Sequence, residues 1–116
     1  MNNGSWVGNM DPETSRYVRA DMIPADKLRT LADEGAVGDI GGQFFNSCGD
    51  LHPCVYNQCM IGLTIEEMKQ IPNTIAVAMG ADKVKAILGG LRTGVIDVLC
   101  TDVLTAREVL KLEPAI

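Results

Sequence analysis

Residues 73–92, NTIAVAMGADKVKAILGGLR, constrain the fold of this chain more than any other stretch. Thr74, Ile75, Ala76, Val77, Ala78 and Met79 form an unbroken β-prone run of the kind found in a strand covered on both faces. After Gly80 the period changes. Val84, Ile87, Leu88 and Leu91 fall at i, i+3, i+4 and i+7, one apolar stripe of an amphipathic helix. A strand that ends in glycine and feeds a helix aims backbone N–H groups and the positive end of the helix dipole at one point. Lys83 adds a full positive charge close to it. The stretch therefore points to an anion site, with phosphate as the expected group.

The remaining segments extend this unit. A helix is expected over 24–34, where Pro24 suits a first helical position, Leu28, Leu31 and Ala32 make a packing stripe, and Gly35 stops it. Residues 36–40 read as a strand interrupted by glycine and 43–46 as an extended segment. Thr64 and Glu67 form a capping box for a helix over 64–70, ended by Pro72. A strand over 95–100 and a helix over 102–111 close the chain. Residues 1–12 are polar and turn-rich, with only 5–7 able to form a strand; 13–20 reads as a brief helix, and 51–61 as an excursion returning as a strand near Val55 or Met60. Strands alternating with helices across short loops imply an α/β fold with a small, mainly parallel sheet and flanking helices. Its three core strands would be 36–40, 74–79 and 95–100, with at least one edge exposed.

With 116 residues the chain is expected to form a single domain. Ten Lys and Arg against fifteen Asp and Glu give a net charge of −5, which argues against direct nucleic-acid contact, since phosphate-backbone affinity needs clustered basic residues. The start, MNNGSWVGNMDPE, lacks a signal-peptide pattern, and no apolar run approaches the ~18 residues of a membrane span. The expected location is the cytoplasm, with Cys48, Cys54, Cys59 and Cys100 as reduced thiols.

In an open parallel sheet, ligands bind beyond the carboxyl ends of the strands. Three segments bring polar groups to that rim: Asp39 with Gly41 and Gly42, Gly80 with Lys83, and Thr101 with Asp102. A carboxylate that accepts from hydroxyls beside a lysine that pairs with phosphate suits a phosphorylated sugar. Against this stand plainer roles: Asp39 capping a turn, Lys83 solvated, Asp102 a helix N-cap, and Asp82 and Asp97 surface charges. Cys48, His52, Cys54 and Cys59 form C-x3-H-x-C-x4-C, which matches no common zinc spacing and reads as free thiols in a loop. The run GAVGDIGG is not G-x-G-x-x-G. The candidate ligand-binding residues are Asp39, Gly80 and Lys83, with no catalytic residue, metal or cofactor expected.

The segments GAVGDIGGQFFN at 35–46, IGLTIEEMKQIP at 61–72, IAVAMGADKVKAILGGLRTGVIDVLCTD at 75–102 and TAREVL at 105–110 resemble the effector-binding domain of SorC/DeoR-type bacterial transcriptional regulators. The resemblance implies a fold similar to sugar-phosphate isomerases and deaminases, and a phosphorylated sugar or related metabolite as effector. It carries the hydroxyl-contacting acid onto Asp39 and the lysine of the Gly-led helix onto Lys83. Met79-Gly80 stands where the family usually has Gly-Gly, and Asn46 where an acid commonly follows F-F. The resemblance also implies about the second half of an effector domain, without the DNA-binding module, and an open sheet edge that favours a homo-oligomer. The expected function is a sugar-binding effector module without catalysis. The alternatives are an oligomerisation fragment that has lost ligand binding, and an isomerase- or deaminase-like enzyme.

Overall fold

The computed structural model describes residues 2–59 and 62–113. In chain order the elements are β1 (Asn2–Gly8), α1 (Arg16–Arg19), α2 (Ala25–Asp33), β2 (Ala36–Ile40), β3 (Gln43–Asn46), α3 (Val55–Cys59), α4 (Ile65–Lys69), β4 (Asn73–Val77), a 3-10 turn (Ala81–Lys83), α5 (Val84–Arg92), β5 (Val98–Cys100) and α6 (Val103–Leu112). The strands form one five-stranded sheet in the order β3-β2-β1-β4-β5.

The fold is α/β with flanking helices, as expected, but the sheet is mixed. β1 pairs parallel with β4, and β4 with β5, whereas β2 runs antiparallel to both β1 and β3. The strand over 36–40 is therefore not a parallel neighbour of β4; β1 lies between them. This central strand is the one that the polar run NNGSWVG conceals. Asparagine and glycine are depleted in strands, but here pairing with β4 along residues 2–6 and with β2 at Val7 and Gly8 overrides propensity.

Two layers of side chains hold the sheet. Val7, Ile40, Phe45, Ala76, Ile87 and Val95 belong to a core built against α5. Ile23, Leu28, Leu31, Ala36 and Phe44 form a second core under α2. Successive strand residues face opposite sides, and Phe44 and Phe45, both fully buried, divide accordingly between the two. The helix lies close to the sheet because small residues meet there. A Cβ on Gly89 would come within 2.7 Å of Val37 and 3.0 Å of the Asn46 carbonyl oxygen, and one on Gly38 within 2.6 Å of the Ala86 Cβ.

The segment expected to return as a strand near Val55 forms α3 instead; Met60 lies outside the described residues. One of its side chains nevertheless does a strand's work. Asn57 accepts from the Phe44 N–H at 2.7 Å and donates to the Phe44 carbonyl at 3.1 Å, closing part of the outer edge of β3. The capping box on α4 forms as expected, with Thr64 accepting from the Glu67 N–H and Glu67 from the Thr64 N–H, both at 3.1 Å.

Because β3 backbone stands in the way of any side chain at position 89, Gly89→Ala should destabilise the fold by about 1–3 kcal/mol. Urea unfolding followed by circular dichroism measures this as a lower midpoint with an unchanged slope.

Candidate functional site

The site is built around the carboxyl end of β1. In the antiparallel ladder Gly8 lies opposite Asp39, and facing residues of such a pair share one side of the sheet. The Asp39 carboxylate lies over Gly8 so closely that a Cβ there would sit 2.0 Å from Oδ1. Only glycine allows the acid this position. Asp39 is 3% exposed. Its Oδ2 accepts a 2.5 Å hydrogen bond from the Tyr17 hydroxyl and a 3.2 Å bond from the Gly42 N–H.

Lys83 reaches the same place from the other side. Gly80 has φ +120° and ψ 151°, a conformation open in practice only to glycine, and it turns the chain from β4 into the 3-10 turn that ends at Lys83. From there the ammonium donates to the Val7 carbonyl oxygen at 2.8 Å. Asp39 and Lys83 thus line one cavity of about 40 Å³, together with Gly8, Asn9, Thr14, Ser15 and Tyr17. Asn9 ties the wall together, donating to Thr14 Oγ1 at 3.0 Å and to Asp82 Oδ2 at 2.8 Å. A buried carboxylate and an ammonium on one small polar cavity can accept from a hydroxyl and attract an anion within the same ligand.

Asp39 does not reach this site from the carboxyl end of a parallel strand, as a parallel sheet would require. It reaches it because β2 runs antiparallel and sets it across from the end of β1. Gly80 lies outside the cavity lining, and its N–H donates to Thr105 Oγ1 at 2.9 Å. Asp102 also lies outside it and caps α6, accepting from the Thr105 N–H at 2.8 Å. Asp82 and Asp97 are structural as well as exposed: Asp82 accepts from Asn9, and Asp97 from the Thr74 N–H at 2.8 Å.

The cysteine and histidine stretch is dispersed. Cys48 and Cys100 are exposed and free, Cys54 is free and half-buried, and the Cys59 side chain lies outside the description. His52 is buried with Nε2 3.3 Å from Glu34 Oε1. No group of three metal-binding side chains comes together among the described residues. Nor is any described helix long and apolar enough to cross a membrane.

The residues that the sequence did not single out are Gly8, Asn9, Thr14, Ser15 and Tyr17. Their one local signal is the turn after Gly8, where Asn9 and Asp11 accept from backbone N–H groups two residues on.

A family profile described as "Putative sugar-binding domain" matches residues 5–111. The chain belongs to that family. It is 36% identical over 96 residues to the transcriptional regulator LsrR of Enterobacter sp. (strain 638), covering 82% of this chain and 30% of that regulator. Against LsrR of Escherichia coli (strain K12) identity is 40% over 80 residues, covering 67% of this chain and 25% of the regulator. Among solved structures, a sugar-binding domain of a transcriptional repressor from Vibrio fischeri superposes with a TM-score of 0.83 at 37% identity, over 97% of this chain and 45% of that one. A transcriptional regulator from Streptococcus pneumoniae TIGR4 superposes at 0.85 with 29% identity, over 97% of this chain and 43% of that one. The full-length sorbitol operon regulator SorC from Klebsiella pneumoniae, at 23% identity and a TM-score of 0.81 over 94% of this chain and 35% of that one, shares the fold. The chain thus spans less than half the length of each of these five relatives. The kinship with SorC/DeoR-type regulators read from the sequence is shown.

Hydrogen bonds from the Thr105 hydroxyl, and then from its backbone N–H, hold the Asp102 carboxyl below its usual range against a small opposing effect of desolvation. A carboxylate depressed in the folded state stabilises above its unfolded pKa of about 3.9, and that contribution fades as pH falls through the folded value. Asp102→Ala should lower the melting temperature at pH 7. The gap from the parent, measured by calorimetry across pH 2–7, should narrow below about pH 4.

Proposed function

We propose that this chain is the ligand-sensing module of a transcriptional regulator and that it binds a phosphorylated sugar without transforming it. The observation that supports the ligand class is the shared cavity of Asp39 and Lys83. The acid suits ligand hydroxyls and the lysine suits the phosphate, with Gly80 shaping the turn that returns Lys83 to β1. Sensing rather than turnover is favoured by the relatives, which are named transcriptional regulators. With a net charge of −5, direct contact with nucleic acid falls to another part of such a regulator.

The test is a thermal-shift panel of ribose 5-phosphate, fructose 6-phosphate and glycerol 3-phosphate. A ligand that binds only the folded chain should raise the melting temperature by roughly several degrees at saturation. Asp39→Asn and Lys83→Ala should each lose most of the shift while melting cooperatively. An unresponsive parent would defeat the reading, and turnover of a probe that disappears in Asp39→Asn would favour an enzyme.

A second reading, self-association, is favoured by apolar surface on the far edge of the sheet. α5 and α6 cover one face, but on the other Val77 is 43% exposed and Val98 47% exposed on the edge strand β5. Edge strands of this kind pair readily. Light scattering should report a homo-oligomer that Val98→Lys shifts toward monomer; a monomeric parent at high concentration would sink this second reading.

A further inference from the structure

The cavity between Asp39 and Lys83 has a volume of about 40 Å³. That has room for a few water molecules, each needing roughly 10–15 Å³ of such space, and is far below the roughly 300 Å³ at which small-molecule pockets begin. A polyol phosphate in this place needs room, so one wall must yield. Gly8 and Asp39 are fixed by the β1–β2 ladder, and Lys83 immediately precedes the nine-residue helix α5. The remaining wall is the segment 9–19. It contains a short turn, in which the Ser15 N–H donates to the Asp11 carbonyl at 2.8 Å, and the four-residue helix α1. A single helical turn has little stability of its own.

Across the cavity this segment is tied by two side chains. Asn9 donates to Asp82, and the Tyr17 hydroxyl donates to Asp39 Oδ2 at 2.5 Å. The second bond falls on the same carboxylate that suits the ligand's hydroxyls. It is not needed to aim that carboxylate, because the Gly42 N–H holds the same oxygen and the strand register fixes the backbone. Tyr17 is also held independently of its hydroxyl, its ring standing 6.0 Å from that of Phe44.

We infer that Tyr17 is a further residue of the ligand site, whose hydroxyl occupies the acceptor position on Asp39 that a ligand hydroxyl takes. Binding then exchanges one donor for another on Oδ2 and removes the tie that the phenol makes between segment 9–19 and β2, while the Tyr17 ring stays packed against the second core. Both partners of the exchange are neutral hydroxyl donors, so no net charge moves. The inference rests on the sugar-phosphate reading and adds to it a residue that sets affinity and couples occupancy to a segment of the fold.

Tyr17→Phe removes the competing hydroxyl and keeps the ring. Titration calorimetry with ribose 5-phosphate, fructose 6-phosphate and glycerol 3-phosphate should show binding to Tyr17→Phe about tenfold tighter than to the parent, the scale of one hydrogen bond to a charged group. A merely structural role would leave affinity unchanged or weaken it, and either result overturns the inference while leaving the sugar-phosphate reading intact. Absence of binding to both proteins overturns that reading and this inference with it. A second measurement needs no variant. When the parent is saturated with a probe, loss of the phenol–carboxylate bond should shift the near-ultraviolet absorption of tyrosine to the blue. A probe that binds with no such shift overturns the exchange even if Tyr17→Phe does not fold.

Discussion

The pairing of Gly8 with Asp39 is the constraint on which the site depends. It joins a parallel half of the sheet, β1-β4-β5, to an antiparallel half, β1-β2-β3, at the point where the Asp39 carboxylate lines the cavity. A slip of one residue would turn Asp39 to the other face, into the core beneath α5, because side chains alternate along a strand. Burying an unpaired carboxylate there would cost roughly several kcal/mol. The same slip would remove glycine from the one position where the acid has room. Sterics and electrostatics therefore select the same register.

The lysine depends on that register through the helix. α5 can lie close to β2 and β3 because Gly38 and Gly89 present no side chain at the contact. Its approach sets where its first residue begins, and so where Lys83 leaves the backbone. The conformation of Gly80 then determines that the chain enters α5 through a tight turn. The Gly80 N–H is taken up by Thr105, whose own N–H is taken up by Asp102. This small network ties the starts of α5 and α6 together. It uses an amide that a strand–glycine–helix pattern alone assigns to an anion.

Much of this is legible in the residues, and the reasons are local. The period of α5 and the capping box of α4 are carried by side chains near in sequence, so they survive any tertiary arrangement. Asp39 and Lys83 stand out because glycines beside them mark the ends of strands, where ligands of an open sheet bind. β1 is hidden because its stability comes from neighbours on both sides and not from its own asparagines and glycine. Without β1, β2 takes the wrong neighbour and the sheet reads as parallel. The loss carries over to the site, since Asn9, Thr14 and Tyr17 have meaning only once the end of β1 is known. Likewise, Asn57 imitates a strand from within a helix, which no periodicity can announce.

The charges on the cavity bear on what it would select. An inorganic phosphate drawn to Lys83 also meets the carboxylate of Asp39, and like charges at close range in a poorly solvated place oppose each other by about several kcal/mol. A neutral sugar satisfies the acid and leaves the lysine on the Val7 carbonyl it already holds. On the proposed reading, a ligand that carries an anion at one end and hydroxyl donors at the other would engage both groups, its hydrogen bonds to the acid offsetting the repulsion its anion meets. Discrimination against the two commoner classes of small metabolite, bare anions and uncharged polyols, would then come from the opposition of two side chains and not from the size of the pocket. A sensing module of the kind proposed would gain most from such an arrangement, because a penalty against wrong ligands does not depend on how tightly the right one binds.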